Sequence, residues 1–125
     1  MAQTDVMTST PASGMDPKLK ACLDACLACA RECGACGSGC IDSAMKEMAA
    51  CAKLCFDCLE ICMLAAAFLS RGSAVHAYIC KACEEICEAC ERECRKFADQ
   101  HAGCARCAEA CNRCAAECRK MAAAA

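Results

Sequence analysis

Residues 22–40 read CLDACLACARECGACGSGC. Cys22, Cys26, Cys29, Cys33, Cys36 and Cys40 follow one another at steps of four, three, four, three and four. That spacing is a strict heptad with cysteine at both a and d, the positions a coiled coil fills with Leu or Ile. The ladder returns as Cys51, Cys55, Cys58 and Cys62, as Cys80, Cys83, Cys87, Cys90 and Cys94, and as Cys104, Cys107, Cys111, Cys114 and Cys118. All twenty cysteines fall on these four ladders.

Each ladder lies in Ala-, Glu-, Lys- and Arg-rich sequence of good helix propensity. Residues 1–15, rich in Thr, Ser and Ala, read as a disordered tail. A domain then spans residues 16–122. Asp16-Pro17 is an N-cap followed by proline at the first helical position, and it starts helix one, expected over about 17–40. Gly34, Gly37 and Gly39 suggest fraying or a close backbone approach near its end. Asp42 or Ser43 is expected to cap helix two (43–70), which Arg71-Gly72-Ser73 terminates before helix three (74–98). A turn near Asp99-Gln100-His101 leads to helix four (102–121). Four helices with short connections predict an all-α fold, an antiparallel up-down-up-down four-helix bundle.

Helix four decides what the core contains. From Ala102 to Lys120 it has no Leu, Ile, Val, Phe or Tyr. Its only inward stripe is therefore Cys104, Cys107, Cys111, Cys114 and Cys118, opposite Arg106, Glu109, Arg113, Glu117 and Lys120. The whole chain of 125 residues has only seventeen large aliphatic and aromatic side chains besides Met, fewer than its cysteines. A cysteine-lined core follows. Helix two is apolar over a wider arc through Leu54, Phe56, Leu59, Ile61, Leu64 and Phe68, which serves bundle packing or self-association.

The bulk properties exclude several classes. The net charge of −2, with both signs interspersed, offers no basic face for nucleic acid or an anionic membrane. No run of about 18 apolar residues exists to span a bilayer. Residues 1–18 show no twin arginine and no apolar export region, so a cytoplasmic location is expected. Cysteines three or four apart on one helix project side by side and meet disulfide geometry poorly, which suits a reducing compartment. No Ser/His/Asp grouping, carboxylate pair or phosphate loop appears, so no enzymatic role is expected.

One buried cysteine is usually a small hydrophobe. Repeating it on every layer gives up about 1 kcal/mol or more per site relative to Leu, a loss that structure alone does not explain. Thiolates favour Cu(I), Zn(II) and iron–sulfur clusters. Charge separates these. One Cu(I) per thiolate leaves the core near neutral, whereas five Zn(Cys)4 sites would each carry −2 into a dry interior. The ferredoxin run C-x2-C-x2-C-x3-C is missing. Cu(I) is content with two sulfurs, and nine CxxxC pairs supply them: 22/26, 29/33, 36/40, 51/55, 58/62, 83/87, 90/94, 107/111 and 114/118. Cys80 and Cys104 are left to complete sites with other helices. A zinc or general soft-metal buffer of metallothionein type is the first alternative, and a thiol redox reservoir the second.

The repeated CxxC/CxxxC ladders on four helices resemble the bacterial four-helix-bundle copper storage proteins, over essentially residues 17–121 and in their cytosolic form. The resemblance implies many Cu(I) ions along the interior, on the order of one per cysteine by the neutrality argument. It also implies a homotetramer, a role in copper homeostasis and detoxification, and exchange with a copper chaperone. One end of such a bundle is open and carries His or Met ligands. Continuing the seams reaches Met48, Phe97 and His101 at one end, with Met45 and Asp42 nearby. His101 and Met48 are the expected mouth ligands, with Asp42 read as a cap. The opposite end collects Met15, Leu19, Leu69, His76 and Met121, where larger apolar groups plug the bundle and His76 reads as an ordinary surface residue.

Overall fold

The structure, a computed structural model, describes residues 15–124. It contains α1 (Pro17–Asp42), a 3-10 turn (Lys46–Met48), α2 (Ala49–Ser70), α3 (His76–Arg95) and α4 (Ala102–Ala124). There is no strand among the described residues. Consecutive helices pack antiparallel, and α4 closes back on α1, so each helix has two neighbours around a central seam. The tail expected over 1–15 falls, except for Met15, outside the described residues.

Local chemistry fixes the helix ends. The Asp16 carboxylate accepts from the Lys18 backbone N–H at 2.7 Å, and Pro17 takes the first position. α1 then runs to Asp42, two residues beyond the expected end. Neither Asp42 nor Ser43 caps α2: both close α1 instead. The Ser43 N–H donates to Gly39 O at 3.0 Å and its hydroxyl donates to Cys40 O at 2.7 Å, so the side chain bonds backward along the chain. Ala44 follows in the left-handed region (φ 57°), and the 3-10 turn delays α2 to Ala49. At the other end of α2, Gly72 takes φ 61°. Its N–H donates to Leu69 O (3.1 Å) while Ser73 N–H donates to Phe68 O (3.0 Å), the paired bonds of a Schellman motif. α3 is shorter than expected at both ends, because Ser73 and Val75 stay in that turn and the chain after Arg95 forms successive turns, with Phe97 N–H donating to Cys94 O and both Gln100 and His101 N–H donating to Phe97 O.

The glycines of α1 do not fray it. A Cβ at Gly37 would meet the Phe56 ring at 2.9 Å, and one at Gly34 would meet Leu59 at 3.1 Å. They let α2 approach α1 closely. Outside the seam, charge ties α4 to its neighbours: Arg119 donates to Glu84 and Glu88 at 2.8 Å each, and Arg106 lies 3.7 Å from Glu32. α2 forms no ion pair among the described residues, and Phe56, Met63 and Leu64 on it are exposed.

Candidate metal centre

The heptad steps turn all four ladders inward, as expected from α4. Seventeen cysteines are fully buried, and the remaining three, Cys36, Cys40 and Cys104, reach only 3%, 4% and 2% exposure. All twenty are free thiols, and their closest hydrogen-bonded S···S contacts are 3.6 Å, far beyond a covalent bond of about 2.0 Å.

Sixteen of the sulfurs form one hydrogen-bonded network, and Cys36 and Cys104 make a separate pair at the open end. Five of the nine CxxxC pairs are in contact within their own helix: 29/33, 58/62, 83/87, 107/111 and 114/118, at 3.8–4.0 Å. Other sulfurs turn toward neighbouring helices. Cys51 meets Cys94 at 3.6 Å, Cys58 meets Cys87 at 3.6 Å, and Cys107 donates to Cys33 at 3.6 Å. Cys104, left over by the pair spacing, finds Cys36 at 3.7 Å. Spacing along one helix could not reveal these partners, since they depend on the axial register between helices.

The result is a stack of four-sulfur clusters. Cys36/Cys51/Cys55/Cys94, Cys33/Cys90/Cys107/Cys111 and Cys26/Cys83/Cys114/Cys118 each hold their sulfurs within 4.8 Å of one another. With a metal–thiolate bond of about 2.3 Å, sulfurs sit about 3.8 Å apart around a tetrahedral ion, about 4.0 Å around a trigonal one and about 4.6 Å across a linear one. The contacts of 3.6–4.0 Å fit shared three- and four-fold sites at once, and linear sites with small rotamer changes.

Ionisation is controlled by burial and by neighbouring sulfur. Burial pushes the Cys104 thiol up to about 12, with the Cys36 charge adding to it, and burial likewise raises Cys40. In the middle of the seam, hydrogen bonds split the pairs. The thiol of Cys107 is held down to about 6 by those of Cys111 and Cys33, and Cys111 is driven up through Cys107. Thiolate character at one sulfur is thus supported by the protons kept on its neighbours.

One end of the seam is open. Cys36, Cys40, Met48, Gln100, His101 and Cys104 line a cavity of about 260 Å³ there. The three cysteines with any exposure are the three in this cavity. The structure therefore brings Met48 and His101 together beside thiols. Phe97, Met45 and Asp42 do not line the cavity. Ser43, which the sequence offers only as a cap, also belongs here: its hydroxyl lies 3.5 Å from the Met48 sulfur, and its place three residues after Cys40 continues the ladder. At the opposite end Leu69 and Met121 are buried, and His76 is half-buried.

Residues 15–123 match the family of copper storage proteins. The uncharacterized cysteine-rich protein YhjQ of Bacillus subtilis (strain 168) is 37% identical over 88 residues, covering 70% of this chain and 82% of its own. Among solved structures, the copper storage protein Ccsp of Streptomyces lividans loaded with 10 copper equivalents superposes with a TM-score of 0.84 at 33% identity, over 95% of this chain and 96% of that one. The Cu(I)-bound copper storage protein BsCsp3 gives a TM-score of 0.79 at 37% identity, over 84% of this chain and 98% of that one. A cytosolic copper storage protein of Streptomyces lividans carrying five coppers gives 0.81 at 33% identity, over 85% and 92%.

Proposed function

This chain belongs to the copper storage protein family, and on that premise we propose that it stores and detoxifies Cu(I) in the cytosol, with the twenty inward thiolates as ligands. One observation carries the reading: a continuous, dry array of free sulfurs fills the space where a bundle ordinarily packs Leu and Ile. Cu(I) matches this array in softness and in charge. Each thiol that loses a proton gains a monovalent cation, so the interior stays neutral as it fills. Capacity is then on the order of one ion per cysteine. Zn(II) fits the four-sulfur spacing too, but each Zn(Cys)4 unit buries two negative charges, which accumulate with every layer.

Copper enters through the cavity at the Cys36/Cys104 end. Met48 and His101 are the outer ligands there: thioether and neutral imidazole accept Cu(I) without adding a buried charge, then pass it to Cys36, Cys40 and Cys104. A copper chaperone delivers the ion to this mouth. The exposed apolar groups of α2, Phe56, Met63 and Leu64, support a homotetramer, with the exposed Lys53, Asp57 and Glu60 on the same arc available to pair with another copy. The role is storage and not catalysis.

An anaerobic titration of reduced apo protein with Cu(I) against a chromophoric chelator tests this, alongside Zn(II) competition and a free-thiol count. Uptake on the order of one Cu(I) per cysteine, undisturbed by Zn(II), supports storage. Saturation after a few ions contradicts it. Displacement of copper by zinc points to a zinc buffer, and extensive disulfides in freshly isolated protein point to a redox reservoir.

A further inference from the structure

The α3 ladder continues one step beyond its first cysteine. Cys80, Cys83, Cys87, Cys90 and Cys94 alternate three and four, so the preceding step is four and lands on His76. His76 and Cys80 thus stand at the CxxxC spacing, one turn apart on one helix face, with imidazole in place of the first thiol. On α4 the corresponding step past Cys118 lands on Met121, which is buried at 6% exposure.

Two further observations make this end a donor set. The His76 Nδ1 lies 2.9 Å from the Ser73 carbonyl oxygen. A carbonyl can only accept, so Nδ1 carries the proton and Nε2 keeps a free lone pair, the arrangement that prepares imidazole for a metal. Cys80, meanwhile, is fully buried and makes no S···S hydrogen bond within 4.0 Å, although Cys118 and Cys22 are close enough to perturb its thiol. Cys40 is the other cysteine without one, and it shares its cavity with His101 and Met48. Each end of the seam therefore pairs a sulfur outside the network with one of the chain's two histidines and a buried methionine.

We propose that the plugged end holds a terminal Cu(I) site of its own, ligated by the Cys80 thiolate and His76 Nε2. The proposal rests on the Cu(I) storage reading. On loading, the Cys80 S–H gives its proton to solvent, a Cu–S bond forms, and Nε2 supplies the second electron pair. Copper remains Cu(I), and one thiolate, one cation and one neutral imidazole sum to zero charge. His76 gives Cys80 a second donor from its own helix, in place of one borrowed from Cys22 or Cys118 across the seam. Leu69 and Met121 close this end, so the site terminates and retains the copper chain, whereas the His101 end admits it.

The test uses 15N-labelled full-length protein titrated anaerobically with Cu(I). On full loading, the His76 Nε2 resonance moves from its free-base position to the metal-bound position while Nδ1 stays protonated. His76→Asn keeps a side-chain amide for the Ser73 carbonyl and removes Nε2: capacity falls by one equivalent. His76→Cys restores the CxxxC pair and that equivalent. An Nε2 resonance unmoved in the loaded protein, or unchanged capacity in His76→Asn, overturns the proposal while leaving the storage reading intact. Failure of the wild type to take up Cu(I) at any sulfur overturns both. If His76→Asn folds poorly, the wild-type resonance alone decides.

Discussion

Raising the pH in the absence of copper should unfold this bundle, and the structure sets where. Twelve of the twenty cysteines are pushed above their ordinary value of 9.0. Well below pH 9 such a thiol is protonated whether the chain is folded or not, and its own contribution to stability does not change. Above pH 9 the unfolded chain loses protons that the folded chain keeps, so stability falls until the folded value is passed, about 12 for Cys104. Each such thiol removes on the order of 1 kcal/mol per pH unit above 9. Thiols pushed the other way, such as Cys107 at about 6, act oppositely: the unfolded chain keeps their protons up to about pH 9 while the folded chain has lost them, so they add stability as pH rises from 6 and that gain levels off above about pH 10. Twelve thiols pulling in the first direction bear on a total of only about 5–15 kcal/mol for a domain, so the loss becomes decisive as pH climbs past about 10, where the opposing gain has levelled off. Far-UV circular dichroism of reduced, chelator-treated protein should show cooperative helix loss above about pH 10, and Cu(I) loading should abolish it because no thiols remain to ionise. Full helicity of the apo protein beyond pH 11 would refute the claim that its core is held by neutral thiols.

Other perturbations have equally definite outcomes. Gly37→Ala places a Cβ 2.9 Å from the Phe56 ring and should destabilise the apo bundle by about 1–2 kcal/mol after helix propensity is credited, whereas Gly39→Ala meets nothing within 4 Å and should stabilise by up to about 1 kcal/mol, both read by urea unfolding. Arg119→Ala leaves Glu84, 7% exposed, without its 2.8 Å partner; a loss of about 1–3 kcal/mol is expected in the same assay, and Arg119→Lys should recover part of it. The double variant His101→Ala/Met48→Leu should load Cu(I) several-fold more slowly in stopped-flow transfer from a chelator, with final capacity lowered by no more than the outermost ion. An unchanged loading rate would remove both residues from the mouth.

The ladders made the architecture legible before any coordinates. Helix four had only sulfur to turn inward, and that single fact oriented the seam. The cap at Asp16-Pro17 and the Gly72 terminus were readable because both depend on side chains one or two residues away. The connection after α1 was not. Asp42 and Ser43 have the chemistry of caps, but a serine hydroxyl can bond backward as well as forward, and here it bonds to Cys40 O. The sulfur partners across helices, such as Cys51 with Cys94, depend on axial register, which a one-dimensional repeat does not contain. His76 reads as an ordinary surface residue because a histidine in a first turn is commonly solvated, and the structure leaves it half-buried at a position that continues the α3 ladder.

Counting protons against copper tests the exchange most directly. A pH-stat titration of the reduced apo protein with Cu(I), under anaerobic conditions near pH 7, should release close to one proton for each ion bound, and less only at sulfurs such as Cys107 that are already ionised there, up to saturation on the order of one ion per cysteine. Two or more protons per ion, with saturation at half the number of cysteines or fewer, would mean that the sulfurs are not shared between monovalent ions and that the interior does not remain neutral as it fills.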